Sequence, residues 1–289
     1  MSTIKIAGAP ISWGVCEVPG WGYQLDSGRV LTEMRGAGLT ATELGPDGFL
    51  PTDSEELKSV LRENDLACVG GFVPVILHEA DHDPGDDLAG PLESLCAAGA
   101  GVVVLAAATG SDGYDSRPVL DDGQWSTLLA NLDRLGAIAS DRGLLAVLHP
   151  HVGTMVETRA DVDRVLDGSS MPLCLDTGHL LIGGTDPLEL AKAVPNRIAH
   201  THLKDVDAAL AAKVRSGELT YTDAVRAGMY TPLGTGDVDI AGIVSVLRDN
   251  GFDGWFVLEQ DTILDGEPAG EGPVRDVLAS VAYLETVTI

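Results

Sequence analysis

The sequence predicts an α/β protein, built as a single (β/α)8 barrel of parallel strands over residues 1–289. Apolar, β-branched runs of strand length alternate with helical patterns eight times along the chain, which favours right-handed crossovers and a parallel sheet. The runs are nearly continuously apolar, as expected when both faces of a sheet are covered. Eight units of roughly 36 residues each fit a closed barrel better than an open doubly wound sheet.

The predicted strands cover residues 4–9, 41–44, 67–73, 101–106, 144–149, 173–176, 198–203 and 255–259. Helical spacing of apolar residues predicts helices over residues 28–37, 54–63, a stretch ending near residue 98, 124–142, 159–166, 187–194, 240–250 and 274–285. Ser27 and Asp53 are predicted N-caps, and Gly38 and Gly251 are predicted to end helices. No GxGxxG motif follows the first strand and no P-loop motif occurs, which disfavours a Rossmann or P-loop fold.

Residues 205–230 depart from the alternation of one strand and one helix, because they place two helical stretches, 208–216 and 222–227, after the seventh strand. On a barrel, such a segment forms a helical insertion over the catalytic end. A lid and an oligomerisation contact both fit this segment. The sequence leaves the oligomeric state open.

The chain is strongly acidic, with 18 Lys and Arg against 44 Asp and Glu and a formal net charge of −26. This charge disfavours nucleic acid and anionic membranes as partners, because both attract basic surfaces. The sequence contains no apolar run of roughly 20 residues and no signal-peptide pattern, which predicts a cytoplasmic protein. Its four cysteines form no CxxC pair and are predicted to be small, buried, reduced side chains.

Polar residues follow the predicted strands at their carboxyl ends, where barrel enzymes hold their chemistry. Five of the seven histidines lie at three of these ends. The main strand-end residues are Trp13, Glu43, His149, His151, Asp176, His179, His200, His202, Lys204, Asp205, Glu259 and Asp261.

Asp176, His202 and Glu259 are predicted to lie at equivalent heights on three consecutive strands. Two carboxylates and an imidazole suit one divalent cation, such as Mn²⁺, Co²⁺, Mg²⁺ or Zn²⁺. A structural ring of polar side chains is the alternative, but charged strand ends without partners would be costly to bury. A fourth ligand is expected after the fifth strand, and the spacing leaves three candidates open: His149, His151 and Glu157.

Six motifs span the chain from the first predicted strand to the eighth. They are APISW at 9–13, ATELG at 41–45, HPHVGT at 149–154, CLDTGH at 174–179, HTHLKD at 200–205 and EQD at 259–261. Together they resemble the inosose dehydratase branch of the xylose-isomerase-like sugar isomerase/epimerase superfamily. APISW and HPHVGT carry most of the resemblance to that branch.

The resemblance implies a TIM barrel with one divalent metal ion, most typically Mn²⁺ or Co²⁺, held by residues from strands five to eight. The implied ligands are Asp176, His202 and Glu259. The superfamily usually supplies a glutamate from the fifth strand, where this chain has His149. We therefore expect Glu157 as the fourth ligand, with His149 as the alternative. The implied reaction is dehydration of a keto-cyclitol, 2-keto-myo-inositol, to a trihydroxycyclohexanedione through a metal-stabilised enediolate.

Such a reaction needs a base, an acid and groups that hold the substrate. His149 and His151 are the predicted base and acid, because they flank the site and titrate near neutrality. Glu43 is an alternative base from the opposite wall, and Lys204 is expected to hold a substrate hydroxyl or the enolate oxygen. The residues predicted to border or orient the substrate are Trp13, His179, Asp205 and Asp261.

The main alternative is a metal-dependent isomerase or epimerase of a non-phosphorylated keto sugar or cyclitol, which would reprotonate the enediolate instead of losing water. A 3-keto-glycoside lyase would expel a sugar. The loops after strands seven and eight carry Gly234, Asp237 and Asp239 rather than basic residues, which disfavours a phosphorylated substrate. The net charge disfavours a metal-dependent endonuclease on this barrel, and the intact ligand set disfavours a non-catalytic sugar-binding barrel.

Overall fold

The computed structural model describes residues 4–287. Nine strand segments form one sheet in the order β3-β2-β1-β11-β8-β7-β6-β5-β4, and β9 pairs antiparallel with β10 in a second, small sheet. The strands are β1 (Lys5–Gly8), β2 (Ala41–Glu43), β3 (Ala67–Gly70), β4 (Phe72–Val75), β5 (Val102–Ala107), β6 (Leu145–Leu148), β7 (Leu173–Asp176), β8 (Ile198–Leu203), β9 (Asp205–Val206), β10 (Tyr230–Thr231) and β11 (Trp255–Leu258).

The sheet closes on itself through β3 and β4, which together replace the predicted third strand, 67–73. Gly101 N donates to Val69 O at 3.2 Å, and Val104 N donates to Gly71 O at 3.0 Å, so both halves of this strand pair toward β5. A Cβ at Gly70 would lie 2.9 Å from the Val102 carbonyl oxygen, so only glycine allows this close approach. The predicted barrel is confirmed, whereas the single third strand was wrong because the chain is interrupted at Gly71.

The helices cover the outside of the barrel, and their first turns are capped mostly by aspartate. They are α1 (Ser27–Gly36), α2 (Ser54–Glu63), α3 (Pro84–Ala98), α4 (Asp122–Asp141), α5 (Arg159–Gly168), α6 (Thr177–Ile182), α7 (Pro187–Ala193), α8 (Ala208–Ser216), α9 (Tyr221–Arg226), α10 (Ile240–Asp249) and α11 (Val274–Val287). Within residues 4–287, no helix combines the length and apolar character that a membrane crossing requires.

The helix ends test four predictions about capping. Asp53 caps α2 as predicted, accepting hydrogen bonds from two backbone N–H groups. Asp26, rather than Ser27, caps α1, because its carboxylate accepts from Arg29 N while Ser27 is already the first helical residue. Gly38 and Gly251 follow α1 and α10 with φ of 82° and 83°, as their predicted role at helix ends requires.

The insertion after β8 forms the two predicted helical stretches, α8 and α9, between the paired strands β9 and β10. Arg215 on α8 donates to the Leu181 carbonyl at 3.1 Å, and Thr222 N on α9 donates to Asp115 Oδ1 at 2.9 Å. These contacts hold the insertion against α6 and against the loop after β5. That position brings Tyr221 and Tyr230 toward the polar residues at the strand ends.

The cysteines are less uniform than predicted. All four are free thiols, but only Cys68 and Cys174 are buried. Cys96 is exposed on α3, and Cys16 is half-buried in the loop after β1. The prediction of buried cysteines was therefore wrong for Cys96, on an exposed helix face, and for Cys16, in a loop.

Candidate metal centre

Asp176 ends β7 and at the same time caps α6, and its two carboxylate oxygens divide these tasks. Oδ1 accepts hydrogen bonds from Gly178 N at 2.9 Å and His179 N at 2.8 Å. Oδ2 turns the other way, 3.1 Å from His149 Nε2 and 3.6 Å from His202 Nδ1. The strand-to-helix turn therefore aims one fully buried carboxylate oxygen at the histidines.

His202 carries the clearest sign of a cation site. Its Nε2 lies 3.1 Å from Glu43 Oε1 and donates to it, so Nδ1 is the ring nitrogen that faces Asp176 and Glu259. This buried Nδ1 forms no hydrogen bond within residues 4–287, although it lies 3.1 Å from Glu259 Oε2 and 3.6 Å from Asp176 Oδ2. Burial lowers the pKa of His202, but Cys174, Glu259 and Glu43 outweigh burial and hold that pKa well above its usual value, so this position favours a positive charge. A divalent cation bound at Nδ1 supplies that charge in place of a proton. The residues present thus fit a divalent metal ion.

The carboxylates of this cluster favour their ionised form. Burial raises the pKa of Asp176, but the Lys204 ammonium, together with hydrogen bonds from His149 and His202, outweighs burial and holds that pKa well below its usual value. The pKa of Glu259 is also lowered, because His202 and Lys204 together outweigh the cost of burial. Both side chains are therefore available as anionic ligands.

His149, rather than Glu157, lies beside Asp176 and His202. His149 contacts Asp176 and lies with its ring centroid 4.8 Å from that of His202. Among the described residues, Glu157 lies in no cluster of side chains that could share a metal ion. Its carboxylate instead accepts a hydrogen bond from Gly153 N at 2.9 Å and pairs with Arg117 at 3.3 Å. The preference for Glu157 is thus corrected: its side chain braces the loop after β6 instead of reaching the cluster.

Lys204 lies beside the cluster as a buried ammonium group. Its Nζ donates to Asp261 Oδ1, lies 3.0 Å from His179 Nε2 and lies 3.1 Å from Glu259 Oε2. Burial lowers the pKa of Lys204, but Asp176, Asp261 and Glu259 outweigh burial and hold that pKa well above its usual value. Lys204 is therefore a charged proton donor next to Asp176 and Glu259.

His151 and His179 are stacked and favour their neutral forms. Their ring centroids lie 3.6 Å apart, and the centroid of the Tyr114 ring lies 4.2 Å from that of His151. Burial and neighbouring positive groups hold the pKa of both histidines well below the usual value. The turn that carries His151 needs glycine at 153, where φ is 74° and a Cβ would lie 2.3 Å from the Tyr114 carbonyl oxygen.

A cavity of about 310 Å³ opens beside these groups, which is enough for one sugar-sized ring. One part of its wall is apolar and includes Phe72, Val73 and Pro74 of β4. The polar part of its wall includes Glu17, Glu43, Tyr114, His149, His151, Lys204, Glu259 and Asp261.

Two residues predicted to border the substrate lie elsewhere. Trp13 is fully buried, donates to Glu33 Oε2 at 2.8 Å and packs in the hydrophobic core, since the short helix at 10–13 turns it away from the barrel axis. Both oxygens of Asp205 are occupied by backbone hydrogen bonds that hold the loop before α10. The four N–H donors to Asp205 are those of Val206, Gly234, Gly236 and Val238.

Several residues near the site have no role predicted from the sequence, although His200 is among the predicted strand-end residues. His200 Nε2 lies 2.8 Å from Glu43 Oε1, and alternate spacing with His202 was the available signal for it. Tyr114, Tyr221 and Tyr230 come from loops and from the insertion, where no periodicity points toward the site. Trp21, rather than Trp13, is the tryptophan in the cavity wall.

Known proteins share this fold and much of this sequence. A family model described as a xylose isomerase-like TIM barrel matches residues 31–282. An inosose dehydratase from Clostridium perfringens (strain 13 / Type A) is 30% identical over 298 residues, covering 99% of this chain and 98% of the relative. An inosose dehydratase from Lacticaseibacillus casei is 31% identical over 294 residues, covering 98% of this chain and 97% of the relative.

Solved structures agree on the architecture. The IOLI protein with a binding zinc atom superposes with a TM-score of 0.71 at 15% identity, covering 99% of each chain. The apo form of a 3-keto-D-glucoside 4-epimerase from E. coli superposes with a TM-score of 0.69 at 18% identity, covering 98% of this chain and 100% of the other. The resemblance inferred from the six motifs is confirmed, and the chain belongs to the xylose isomerase-like TIM barrel family.

Proposed function

We propose that this protein is a metal-dependent carbon–oxygen lyase that dehydrates a keto-cyclitol such as 2-keto-myo-inositol. One observation carries the proposal: the buried Nδ1 of His202 faces the carboxylates of Asp176 and Glu259 beside a cavity of sugar-ring size. Full-length relatives named inosose dehydratase support the choice of reaction and substrate.

The proposed ligands are Asp176, His202, Glu259 and His149, with Mn²⁺ or Co²⁺ as the proposed ion. Mg²⁺ and Zn²⁺ accept the same donor atoms, so the ligand set does not by itself select the metal. When bound, the cation supplies Lewis-acid polarisation of the substrate ketone. Glu43 is assigned to orienting His202 rather than to proton transfer, because one of its oxygens already accepts from two histidines.

We assign His151 as the base that removes the proton next to the ketone. Its Nδ1 lies 2.7 Å from the Val152 carbonyl oxygen and must be the donor, which leaves the lone pair on Nε2. Its lowered pKa keeps the ring neutral near pH 7, and its side chain lines the cavity. Contacts with Tyr114 and His179 hold the ring in place.

We assign Lys204 as the acid that protonates the departing β-hydroxyl. The group lines the cavity and is held in its ammonium form by the surrounding carboxylates. His151 gains the proton lost from carbon, Lys204 gives one proton to the leaving oxygen, and water departs without any change of redox state. His149, one of the predicted acid–base pair, is reassigned to the ligand set.

The test is an assay of metal-stripped protein, reconstituted with Mn²⁺ or Co²⁺, on 2-keto-myo-inositol. Ultraviolet absorbance follows the dione, and NMR follows proton–deuterium exchange next to the ketone. Metal-dependent dione formation supports the dehydratase. Exchange or a new sugar without dione identifies an isomerase or epimerase, and no signal in either channel redirects the search to other keto substrates such as 3-keto-glycosides.

A further inference from the structure

Tyr221 is a buried phenol that the insertion carries toward the polar residues at the strand ends. It begins α9, and its hydroxyl donates to Asp261 Oδ2. The hydroxyl of Tyr230 lies 3.1 Å from the hydroxyl of Tyr221, and no hydrogen bond joins Tyr230 to Asp261 among the residues described. Tyr221 is therefore the phenol that directly contacts the carboxylate.

Asp261 transmits this contact to Lys204. One of its oxygens accepts from Tyr221 and the other accepts from Lys204 Nζ. The ammonium group then lies 3.1 Å from Glu259 Oε2 and 3.0 Å from His179 Nε2. The direction in which Lys204 points thus depends on how the Asp261 carboxylate is oriented.

We propose that Tyr221 is a positioning residue, which orients Asp261 so that Lys204 is aimed at the leaving hydroxyl of the substrate. The inference rests on the proposed function, because it is there that Lys204 is assigned as the acid. It also assigns a task to the insertion: a residue outside the barrel strands completes the proton-donating side of the site.

The surroundings of Tyr221 favour a fixed position over a mobile one. Its side chain is 2% exposed, and its ring lies 5.7 Å from the ring of His179 and 6.4 Å from those of Trp21 and Tyr114. A phenylalanine fits the same space but offers no donor, which leaves Asp261 Oδ2 buried with one partner fewer. The carboxylate is then free to rotate, and Lys204 loses its fixed direction.

The kinetic test compares Tyr221→Phe with Tyr230→Phe in the metal-loaded enzyme. We expect Tyr221→Phe to lower kcat by about 10²-fold with KM nearly unchanged, since small misplacements of catalytic groups cost rates of this size. Among residues 4–287, the hydroxyl that Tyr230→Phe removes forms a hydrogen bond only with the other phenol, so this variant is expected to lose clearly less. Equal losses in the two variants, or a normal kcat for Tyr221→Phe, overturn the proposal.

A second measurement does not depend on turnover. A buried, hydrogen-bonded ammonium gives a ¹⁵N-detected side-chain signal, and Lys204→Met assigns that signal by removing it. We expect Tyr221→Phe to shift or broaden the signal while Tyr230→Phe largely preserves it. An unchanged Lys204 signal in Tyr221→Phe contradicts the positioning role, whereas an inactive wild type with a shifted signal contradicts the proposed function alone.

Discussion

Glu43 Oε1 lies 3.1 Å from Nε2 of His202, so a carboxylate on β2 sets the ring orientation of a histidine on β8. The same oxygen lies 2.8 Å from Nε2 of His200. Through this contact Nδ1 of His202 is directed at Asp176 and Glu259. Histidine ligands commonly have such a carboxylate partner behind them.

Glu43→Gln is therefore expected to weaken Mn²⁺ binding by about 10- to 100-fold, because the amide is a poorer acceptor for the ring N–H. Isothermal titration calorimetry of the metal-stripped variant measures the effect. Circular dichroism confirms that the variant is folded. A folded Glu43→Gln protein with wild-type affinity contradicts the orienting role.

Glu259→Gln is expected to lower turnover by about 10³-fold or more without unfolding the protein, because a ligand carboxylate contributes several kcal/mol of charge stabilisation. Metal content by mass spectrometry and turnover are measured on the same sample. Retained turnover with a full complement of bound metal removes Glu259 from the ligand set.

His149 and Glu157 are separated by a matched pair of variants. His149→Ala is expected to weaken metal binding by at least about 10-fold, while Glu157→Gln leaves the affinity close to that of the wild type, since only the former contacts the cluster. Calorimetric titration with Mn²⁺ measures both. The reverse pattern restores Glu157 as the fourth ligand.

The four thiols are expected to differ in their rates of reaction with a disulfide reagent at pH 8. Cys96 is exposed and reacts first, whereas burial raises the pKa of Cys68 to about 12 and that of Cys174 to about 11. Burial, followed by the charge of Glu17, also raises the pKa of Cys16. Because the thiolate is the reactive form, Cys68 and Cys174 react only on unfolding. Fast labelling of either in the native protein refutes this ranking.

Asp205→Ala is expected to lower the free energy of unfolding by about 3–5 kcal/mol, because four backbone N–H groups lose a charged acceptor at once. Asp237→Ala provides the control, since Asp237 accepts one such bond, from Ala208 N, and its loss costs about 1 kcal/mol. Urea unfolding measures both values. Similar values for the two variants contradict the bracing role of Asp205.

The positions of side chains on the barrel strands could be predicted, because side chains along a strand alternate between its two faces. Alternate spacing on β8 brings His202 and Lys204 to one face, and the strand-end positions of Asp176 and Glu259 follow from the barrel. Glu157 was misplaced because its loop turns it toward Arg117, a contact between residues 40 positions apart that no local pattern encodes. Asp205 was predicted to border the substrate because it follows a strand end. Its carboxylate instead accepts four backbone hydrogen bonds, which the sequence does not reveal.

The tyrosines were not predictable for a related reason. Tyr114 and Tyr221 lie on segments whose paths depend on packing against each other rather than on helix or strand periodicity. Trp13 and Trp21 share a residue type, but Trp13 packs in the core and donates to Glu33, whereas Trp21 lines the cavity, and no local pattern separates the two.

The insertion between β9 and β10 separates two parts of the chemistry along the chain. The groups proposed to hold the cation end the strands of the barrel, whereas Tyr221 lies on a segment that leaves and rejoins the barrel through the ribbon of β9 and β10. Sequence changes within that segment therefore reach the proton-donating side through Asp261 without passing through the metal-facing side chains. For an engineer, leaving-group chemistry becomes adjustable in the insertion while the barrel strands are left as they are.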